Sequence, residues 1–480
     1  MIDRGWKENP DLTSPNYNFI WTLKTNEIPH VLNKNQIANH YHNNIEITKK
    51  SGLSKNIKNL IFKNIDIDNF YPRCYELSER HEMEDFLEDF KTTKAISILT
   101  RFLIENSKIS ENNIYSTNIS NANNIKNQIT EDKLKTAIEI CERKLMFFEV
   151  EPTTSNQYIE KLNLDYHIKS LLNQNGLKLI TDREWSIISE EENKTYTKEM
   201  QKLEKMNKIV VNPKNFFRSK SLLTRVPTNF SSKEEKLTTN KISNQKEDLT
   251  VISLEKYLPI VNSLLQRLRK IFPQISISGE KNIWILKPSG LSRGRGITCI
   301  NSLNEILKFI KTNSNQYIIQ KYIENPLIIK GRKFDIRQWV LVTDLDPLTI
   351  WLYDTPYLRF GAEEYKPDDF SNLYSHLTNN SVVKYSKNFD NSTIIGNMWE
   401  IENFAEYLIL KYGRNVWKEL QEKIIKIVIS SMESVKKLIK NRKNSFELYG
   451  YDIMIDEHLN AWLIEVNSSP AMDYSTVKIT

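Results

Sequence analysis

Apolar residues recur at helical spacing in four segments of the chain. The pattern runs through residues 83–104 and 131–149, returns at 254–272, and ends in a long stretch at 414–440. In each segment the apolar positions lie three and four residues apart with charged positions between them, which is typical of a helix with one buried face. The sequence therefore predicts four amphipathic helices, and the last is expected to pack on a core along its whole length.

Shorter apolar runs predict strands. Residues 18–24 (NFIWTLK), 317–323 (YIIQKYI) and 332–344 (RKFDIRQWVLVTD) are rich in β-branched and aromatic side chains. Residues 69–77 (NFYPRCYEL) predict either a strand or a turn. Residues 110–130 are rich in Asn and Ser and lack periodicity, so this segment is predicted to be an exposed loop.

The length of the chain, 480 residues, is enough for two or three domains. Residues 1–192 are predicted to form an N-terminal domain, and residues 247–480 carry the motifs described below. Between them, residues 193–246 are polar, and basic residues outnumber acidic ones. This middle segment is predicted to be a disordered, solvated insertion, and the alternative is a basic arm that grips an acidic partner.

The composition narrows the class of protein. Hydrophobic residues make up 39% and charged residues 26%, which predicts a mostly globular chain. The net charge of +7 favours an acidic partner, and nucleic acid, an anionic membrane and an acidic protein all fit that description. The N-terminus has no apolar signal region, and no apolar run approaches the roughly 18 residues of a membrane span. We therefore expect a soluble, cytosolic protein.

Cysteine and histidine give no metal signature. Cys74, Cys141 and Cys299 lie far apart and form no CxxC pair, so they are predicted to be ordinary buried thiols. His40 and His42 have no obvious third ligand, and a surface role is predicted for this pair rather than metal binding.

Residues 282–300 (NIWILKPSGLSRGRGITCI) read as two strands joined by a glycine loop, here residues 289–297. Glycines 290, 294 and 296 allow backbone N–H groups to close around phosphate oxygens, and Lys287 ends the first strand beside them. Walker A and protein-kinase motifs are absent. A phosphate-binding loop is one interpretation, and an ordinary glycine hairpin is the other.

Residues 332–344 place charged side chains on one face of a strand. Because residues two apart share a face, Lys333, Asp335 and Arg337 point one way, and Phe334 and Ile336 point the other. The pattern predicts either a functional charged face or a solvent-exposed strand.

Residues 449–470 (YGYDIMIDEHLNAWLIEVNSSP) predict a hairpin whose loop is residues 457–460. If Asp456 pairs with Ala461, then Asp452 lies directly opposite Glu465, and a further acceptor, the amide of residue 467, follows on the same face. Opposed carboxylates repel each other unless a cation lies between them, and carboxylate and amide oxygens suit Mg²⁺ beside phosphate. The alternative is a pair of acids at an exposed hairpin.

Together these motifs resemble the tubulin tyrosine ligase-like family, a branch of the ATP-grasp ligases. The matching segments, in family order, are ILKPSGLSRGRGI, QKYIENPL, RKFDIRQWVLVTD, YLRF, HLTNNS and YGYDIMID with WLIEVNSSP. The segments SRGRGI and RQWVLVTDLDPLTIWLY, with Trp339 and Trp351, resemble the glycylase branch most closely.

The resemblance implies an α/β (α+β) fold of the ATP-grasp type, with an N-terminal α/β domain and a nucleotide held between two antiparallel sheets. It implies that Lys333, Arg337 and Arg359 are catalytic and that Asp452, Glu465 and Asn467 bind Mg²⁺. The ATP-binding residues that it implies are Lys287, Ser292, Arg293, Gly294, Arg295, Gly296, Ile297, Gln320, Lys321, Tyr322, Ile323, Lys333, Asp335, Thr378 and Asn379.

The implied function is ligation of glycine to glutamate side chains in the acidic C-terminal tails of tubulin, through an acyl phosphate made with ATP. The implied partners are tubulin and microtubules, with no nucleic acid and no membrane. The protein is expected to be a monomer of the cytoplasm and cytoskeleton, in the axoneme of a cilium or flagellum. The alternatives are a polyglutamylase or tyrosine ligase with the same site, and a microtubule-binding protein with a vestigial ATP site.

Overall fold

The architecture is taken from a computed structural model of the chain. It describes residues 2–11, 14–23, 25–29, 31–112, 129–149, 180–189, 254–291, 294–313, 316–369, 372–387, 394 and 397–470. The predicted basic insertion at 193–246 and most of the predicted loop at 110–130 lie outside these ranges. The domain boundaries drawn from the sequence stay a prediction.

Two sheets organise the described residues. The larger has nine strands, in the order β1-β2-β12-β8-β10-β11, with β13 paired to β12 and with β7 and β9 paired to β8. Its strands are β1 Phe19–Ile20, β2 Ile37–Asn39, β7 Ile328–Ile329, β8 Arg332–Leu345, β9 Leu348–Leu352, β10 Tyr357–Phe360, β11 Met398–Glu400, β12 Ser445–Ile455 and β13 Ala461–Ser468. Most pairs are antiparallel, but β2 runs parallel to both β1 and β12, so this sheet is mixed rather than purely antiparallel.

The smaller sheet has four strands in the order β3-β6-β4-β5, and every pair in it is antiparallel. Its strands are β3 Cys74–Glu76, β4 Trp284–Pro288, β5 Thr298–Ile300 and β6 Tyr317–Lys321. The N-terminal third of the chain therefore supplies strands to both sheets.

Helices cover the sheets and give each its own core. Their bounds are α1 Ile45–Thr48, α2 Lys50–Lys58, α3 Arg80–Asn112, α4 Glu131–Glu149, α5 Asp182–Ile188, α6 Leu258–Ile271, α7 Ile275–Ser278, α8 Leu303–Thr312, α9 Leu373–His376, α10 Asn380–Val383, α11 Ile401–Tyr412 and α12 Val416–Val435. Apolar residues of α2, α11 and α12 pack on the large sheet, and those of α3, α4, α6 and α8 pack on the small one. The mixed α/β class expected from the sequence is confirmed.

The helix predictions hold with shifted ends. The helix predicted at 131–149 is confirmed at both ends. The helix predicted from residue 254 begins only at Leu258, where Pro259 occupies the first turn and needs no N–H partner. The helix predicted to reach residue 440 ends at Val435, and Leu438 is exposed rather than packed on the core.

The strand predicted at 18–24 is much shorter in the structure. Only Phe19 and Ile20 pair, because β1 lies at the edge of the large sheet and meets the equally short β2. The three cysteines are free and buried, as predicted. No helix in the described ranges combines the length and the apolar character needed to cross a membrane.

Candidate active site

A bulge in the β12–β13 hairpin brings two carboxylates face to face. Ile455, rather than Asp456, pairs with Ala461, so the predicted register at the hairpin end is wrong by one residue. The register then shifts between Asp452 and Ile453, and Asp452 pairs with Glu465 after all. At this point β13 has one more residue than β12, and this compensates for the one-residue error at the hairpin end. The two acids therefore lie opposite each other, as predicted.

Two arginines compensate the charge of Asp452. The Arg337 Nε donates to Asp452 Oδ1 at 2.7 Å, and the Arg359 Nη2 lies 2.9 Å from Asp452 Oδ2. Arg359 also forms a bidentate pair with Asp335, at 2.6 and 2.7 Å. Burial would raise the pKa of Asp452, but the charges of both arginines outweigh it and lower the pKa. The acid therefore stays ionised inside the protein.

Glu465 and Asn467 complete an oxygen-rich group around Asp452. The Asn467 Nδ2 lies 3.3 Å from Asp452 Oδ2 and 3.3 Å from Glu465 Oε1. Lys50 of α2 reaches the same point, with its Nζ 3.5 Å from Glu465 Oε2 and 2.8 Å from the carbonyl of Leu291. Sequence reasoning missed Lys50, because nothing in a lysine of a short helix 415 positions upstream of Glu465 signals that the two meet.

Lys333 is held by a buried hydrogen-bond chain. Its Nζ donates to the Tyr322 hydroxyl at 2.9 Å and to the His376 carbonyl at 3.1 Å. The hydroxyl of Tyr322 lies 2.8 Å from His376 Nδ1, and His376 Nε2 lies 2.8 Å from the carbonyl of Asp369. Burial, with the nearby charge of Lys333, lowers the pKa of His376 to about 4, so the ring is neutral, donates from Nε2 and accepts at Nδ1. Burial lowers the pKa of Lys333 to about 8.

Two further lysines approach the cleft from the small sheet. The Lys287 Nζ donates to Gln320 Oε1 at 2.7 Å, and burial lowers the pKa of Lys287. The Lys321 Nζ instead points at Glu324 Oε1, 2.6 Å away, and at the carbonyl of Ile283. The ammonium of Lys321 is therefore occupied within the protein, whereas Lys287 and Lys333 present their charge towards the cleft.

The described end of the glycine loop contains two left-handed residues. Gly294 and Gly296 have φ values of 72° and 69°, a conformation that side chains disfavour. A Cβ on Gly294 would meet Val382 of α10 at 2.6 Å, so the loop packs closely against the segment after β10. Ser292 and Arg293 of the predicted phosphate loop lie outside the described residues.

The cleft itself lies between the two sheets and has an empty volume of about 610 Å³, open solvent included. Its lining residues are Ile285, Lys287, Ile297, Gln320, Lys321, Tyr322, Ile323, Lys333, Asp335, His376, Leu377, Thr378, Asn379, Asp452, Met454, Ile464 and Glu465. Most of the candidate site residues are thus brought together. Three other candidate residues contact this lining without being part of it. Arg337 binds Asp452, Arg359 binds Asp335, and Asn467 binds Glu465.

One tryptophan of the glycylase-like segment lies away from the cleft, and one sequence prediction is corrected. Trp351 does not reach the cleft, because it lies on β9 with 59% of its surface exposed and its indole N–H bonded to Thr343. His40 is not a surface residue, because only 3% of it is exposed and its Nδ1 lies 2.7 Å from Glu447 Oε1.

Comparison with known proteins places the chain beside one family. Residues 217–479 match the profile of the tubulin-tyrosine ligase family. Tubulin glycylase 3C of Tetrahymena thermophila is 40% identical over 485 residues, which cover 98% of this chain and 42% of that relative. A protein monoglycylase of Homo sapiens is 32% identical over 95% of this chain and 49% of its own length. A tubulin monoglycylase of Danio rerio is 29% identical over 95% of this chain and 53% of its own length.

The chain spans about half the length, or less, of these curated relatives. The family match nevertheless covers more than half of the chain, and it includes every strand of the cleft from β4 to β13. The chain belongs to the tubulin-tyrosine ligase family.

Proposed function

We propose that this chain carries an ATP-dependent ligase that joins glycine to the side-chain carboxylate of glutamates in the acidic tails of tubulin. The observation that carries the proposal is the cleft between the two sheets. Buried Lys287 of the small sheet and buried Lys333 of the large sheet line it together with the ionised carboxylate of Asp452. Relatives that align over nearly the whole chain carry the printed names of tubulin glycylases and monoglycylases.

The residues of the cleft fit a nucleotide triphosphate. Ile285, Ile323 and Met454 supply apolar walls for a base, and Lys287 and Lys333 supply positive charge that burial destabilises in the absence of an anion. Ile297, the last residue of the glycine loop, lines the same cleft. We therefore assign Lys287, Lys333 and the glycine loop to the phosphates.

The oxygen group of Asp452, Glu465 and Asn467 fits a magnesium ion. The amide of Asn467 lies within 3.3 Å of both carboxylates and presents its Nδ2 to them, so its oxygen would have to turn inward to join the two acids as a ligand. Hard oxygen ligands beside phosphate suit this ion. A bound Mg²⁺ would act as a Lewis acid that polarises the transferring phosphoryl group. The described part of the chain holds no cluster of three or more acidic, histidine or cysteine side chains, so such an ion would rest on two carboxylates and an amide.

The reaction needs activation of a carboxylate, which is a poor electrophile at neutral pH. An oxygen of the acceptor glutamate attacks the γ-phosphorus of ATP, the bond to the β-phosphate oxygen breaks, and ADP leaves. The glycine amine then attacks the acyl carbon, the carbon–oxygen bond to phosphate breaks, and the amine proton passes to solvent or to the released phosphate. Lys333 and Arg337 stabilise the negative charge that develops, and Arg359 holds Asp335 and Asp452 in place.

The proposed partners follow from charge. A net charge of +7 complements an acidic tail of tubulin better than it complements a small neutral substrate. We propose that the protein works as a monomer on microtubules of the cytoplasm and the axoneme, without nucleic acid or membrane as partner.

The rival enzyme is a polyglutamylase or tyrosine ligase that uses the same cleft. It differs only in the donor, so the test is to incubate the purified chain with tubulin, ATP and Mg²⁺ in a mixture of glycine, glutamate and tyrosine, and then to weigh the tails. Mass increments of glycine residues support the proposal. Increments of glutamate or tyrosine overturn the choice of donor, and unchanged tails support a binding protein with a vestigial site.

A further inference from the structure

Trp339 has a buried hydrogen-bond donor that the protein leaves unused. It lies on β8, two residues beyond Arg337 and on the same face of the strand. Only 5% of its surface is exposed, and its Nε1 has no hydrogen-bond partner among the described residues. An indole N–H can only donate, and a buried donor without an acceptor costs free energy unless a ligand supplies one.

Aromatic rings surround this tryptophan. The ring centroid of Tyr353 lies 5.4 Å from that of Trp339, and that of Tyr357 lies 5.8 Å away in an edge-on arrangement. Tyr357 pairs with Arg337 across β8 and β10, so the rings continue the charged face of the sheet rather than joining the core behind it. Tyr353 is 43% exposed, and this aromatic wall therefore reaches solvent.

The guanidinium of Arg337 extends towards Trp339. Its Nε is bonded to Asp452, and a Cβ added to Gly450 would lie 2.7 Å from its Nη1. Gly450 is the residue of β12 that pairs with Trp339. The free end of the guanidinium and the indole are therefore neighbours on one face of the sheet.

We propose that Trp339 is a specificity-determining residue for the donor amino acid. Its Nε1 donates a hydrogen bond to the donor's α-carboxylate beside Arg337, and the wall of Trp339, Tyr353 and Tyr357 fills the space where a side chain on the donor's Cα would lie. The inference rests on the proposed ligase function. The inference identifies the group that binds the α-carboxylate of the donor while the amine of the donor faces the activated carboxylate of the acceptor.

The test compares two donors with the same nucleophile. Glycine carries a carboxylate, whereas glycinamide carries a neutral amide in its place. The substitution Trp339→Phe keeps an aromatic ring and removes the N–H, so the KM for glycine should rise about ten- to a hundred-fold, the range of a hydrogen bond to a charged group. The KM for glycinamide should change little, and the KM for ATP should stay the same.

The matched control is Trp351→Phe, which removes the N–H of an exposed tryptophan on the neighbouring strand and should leave both donors unaffected. An equal rise in KM for glycine and glycinamide, or no rise for glycine, would overturn the hydrogen bond. An unchanged KM for ATP shows that the Trp339→Phe protein is folded.

A second variant tests the wall without touching a buried residue. Tyr353→Ala removes a half-exposed ring, and use of alanine as donor should rise at least about ten-fold relative to glycine, since one methyl group then fits. Unchanged discrimination against alanine would overturn the steric part. If the unmodified protein ligates a different amino acid, the proposed donor fails, and the role of Trp339 is tested with that amino acid and its amide.

Discussion

Asp452 and Glu465 lie directly opposite each other on β12 and β13, although the hairpin that joins them starts one residue out of the simple register. Arg337 and Arg359 bind the first acid, and Lys50 approaches the second. The protein therefore offsets the repulsion of the pair with its own cations.

Removing the charge of Glu465 tests whether this acid serves cation binding rather than folding. We expect Glu465→Gln to lower ligation by at least about a hundred-fold, because several kcal/mol of charge stabilisation at the phosphoryl group are lost with a magnesium ligand. The thermal midpoint should change little, since the variant removes both the repulsion with Asp452 and the charge contact with Lys50. Turnover and thermal unfolding measure the two effects. A variant with near-normal turnover would remove Glu465 from the metal site.

The lowered pKa of Lys333 predicts that the protein takes up a proton when it binds nucleotide. Burial holds its pKa at about 8, below its ordinary value of 10.5, so the free protein has lost this proton at a pH between the two. Phosphate restores the charged form, and ATP binding at about pH 9 should take up a proton. Calorimetry in buffers of different ionisation enthalpy measures it. The uptake should fall by about one proton in Lys333→Met, and an uptake equal to the wild type would contradict the contact with phosphate.

The same low pKa has a consequence for stability in the nucleotide-free protein. Because the folded state releases the proton of Lys333 before the unfolded state does, this residue lowers stability below pH 8, and that cost is relieved as the pH rises towards 10.5. The Lys333→Met protein should lose this rise of stability with pH.

The pair of His40 and Glu447 should change stability with pH in the opposite direction, so that stability falls as the pH rises. Burial alone would lower the pKa of His40, but the hydrogen bond and charge of Glu447 outweigh it and raise the pKa. The free energy of unfolding that this pair contributes is therefore fully present below the pKa of histidine in the unfolded chain. It is lost as the pH rises through the pKa of His40 in the folded protein. Glu447→Gln should cost about 3 kcal/mol near pH 6, because the buried ring of His40 loses its anionic partner and must give up its proton. Chemical denaturation at pH 6 and at pH 8 tests this, and an equal loss at both would contradict it.

Residues 193–246 remain a prediction from the sequence. Their deletion should leave nucleotide binding intact, because every residue that lines the cleft lies after them in the chain. If the segment grips an acidic partner, the deletion should weaken binding to microtubules and flatten the fall in binding with salt. Equal salt dependence in the full and the deleted chain would show that the segment does not contribute.

Local pattern was enough to find the two segments that carry the charged strand face and the acidic hairpin. Alternation placed Lys333, Asp335 and Arg337 on one face, and the structure brings all three to Asp452 or to the cleft. The opposition of Asp452 and Glu465 was reached through the wrong hairpin register, and it holds because a bulge offsets the error. Bulges depend on packing of the whole sheet, so a residue count along two strands does not detect them.

Local sequence patterns could not predict contacts between distant segments of the chain. Lys50 meets Glu465, and His40 meets Glu447, across more than 400 positions, and neither pair leaves a mark in local periodicity. Trp351 was grouped with Trp339 because both are tryptophans in one motif. They lie on different strands, and Trp351 pairs with Leu341, two residues beyond Trp339 on β8 and farther from Arg337, where 59% of its surface is exposed.

The most direct test of carboxylate activation follows one oxygen atom. A tubulin tail peptide whose glutamate side chains carry heavy oxygen is incubated with the protein, ATP, Mg²⁺ and glycine, and the released phosphate is analysed by mass spectrometry. An acyl phosphate passes one labelled oxygen to phosphate for every glycine added, because the carbon–oxygen bond breaks when the amine attacks. Glycine added to the tail with unlabelled phosphate, or with the label in AMP, would contradict the account.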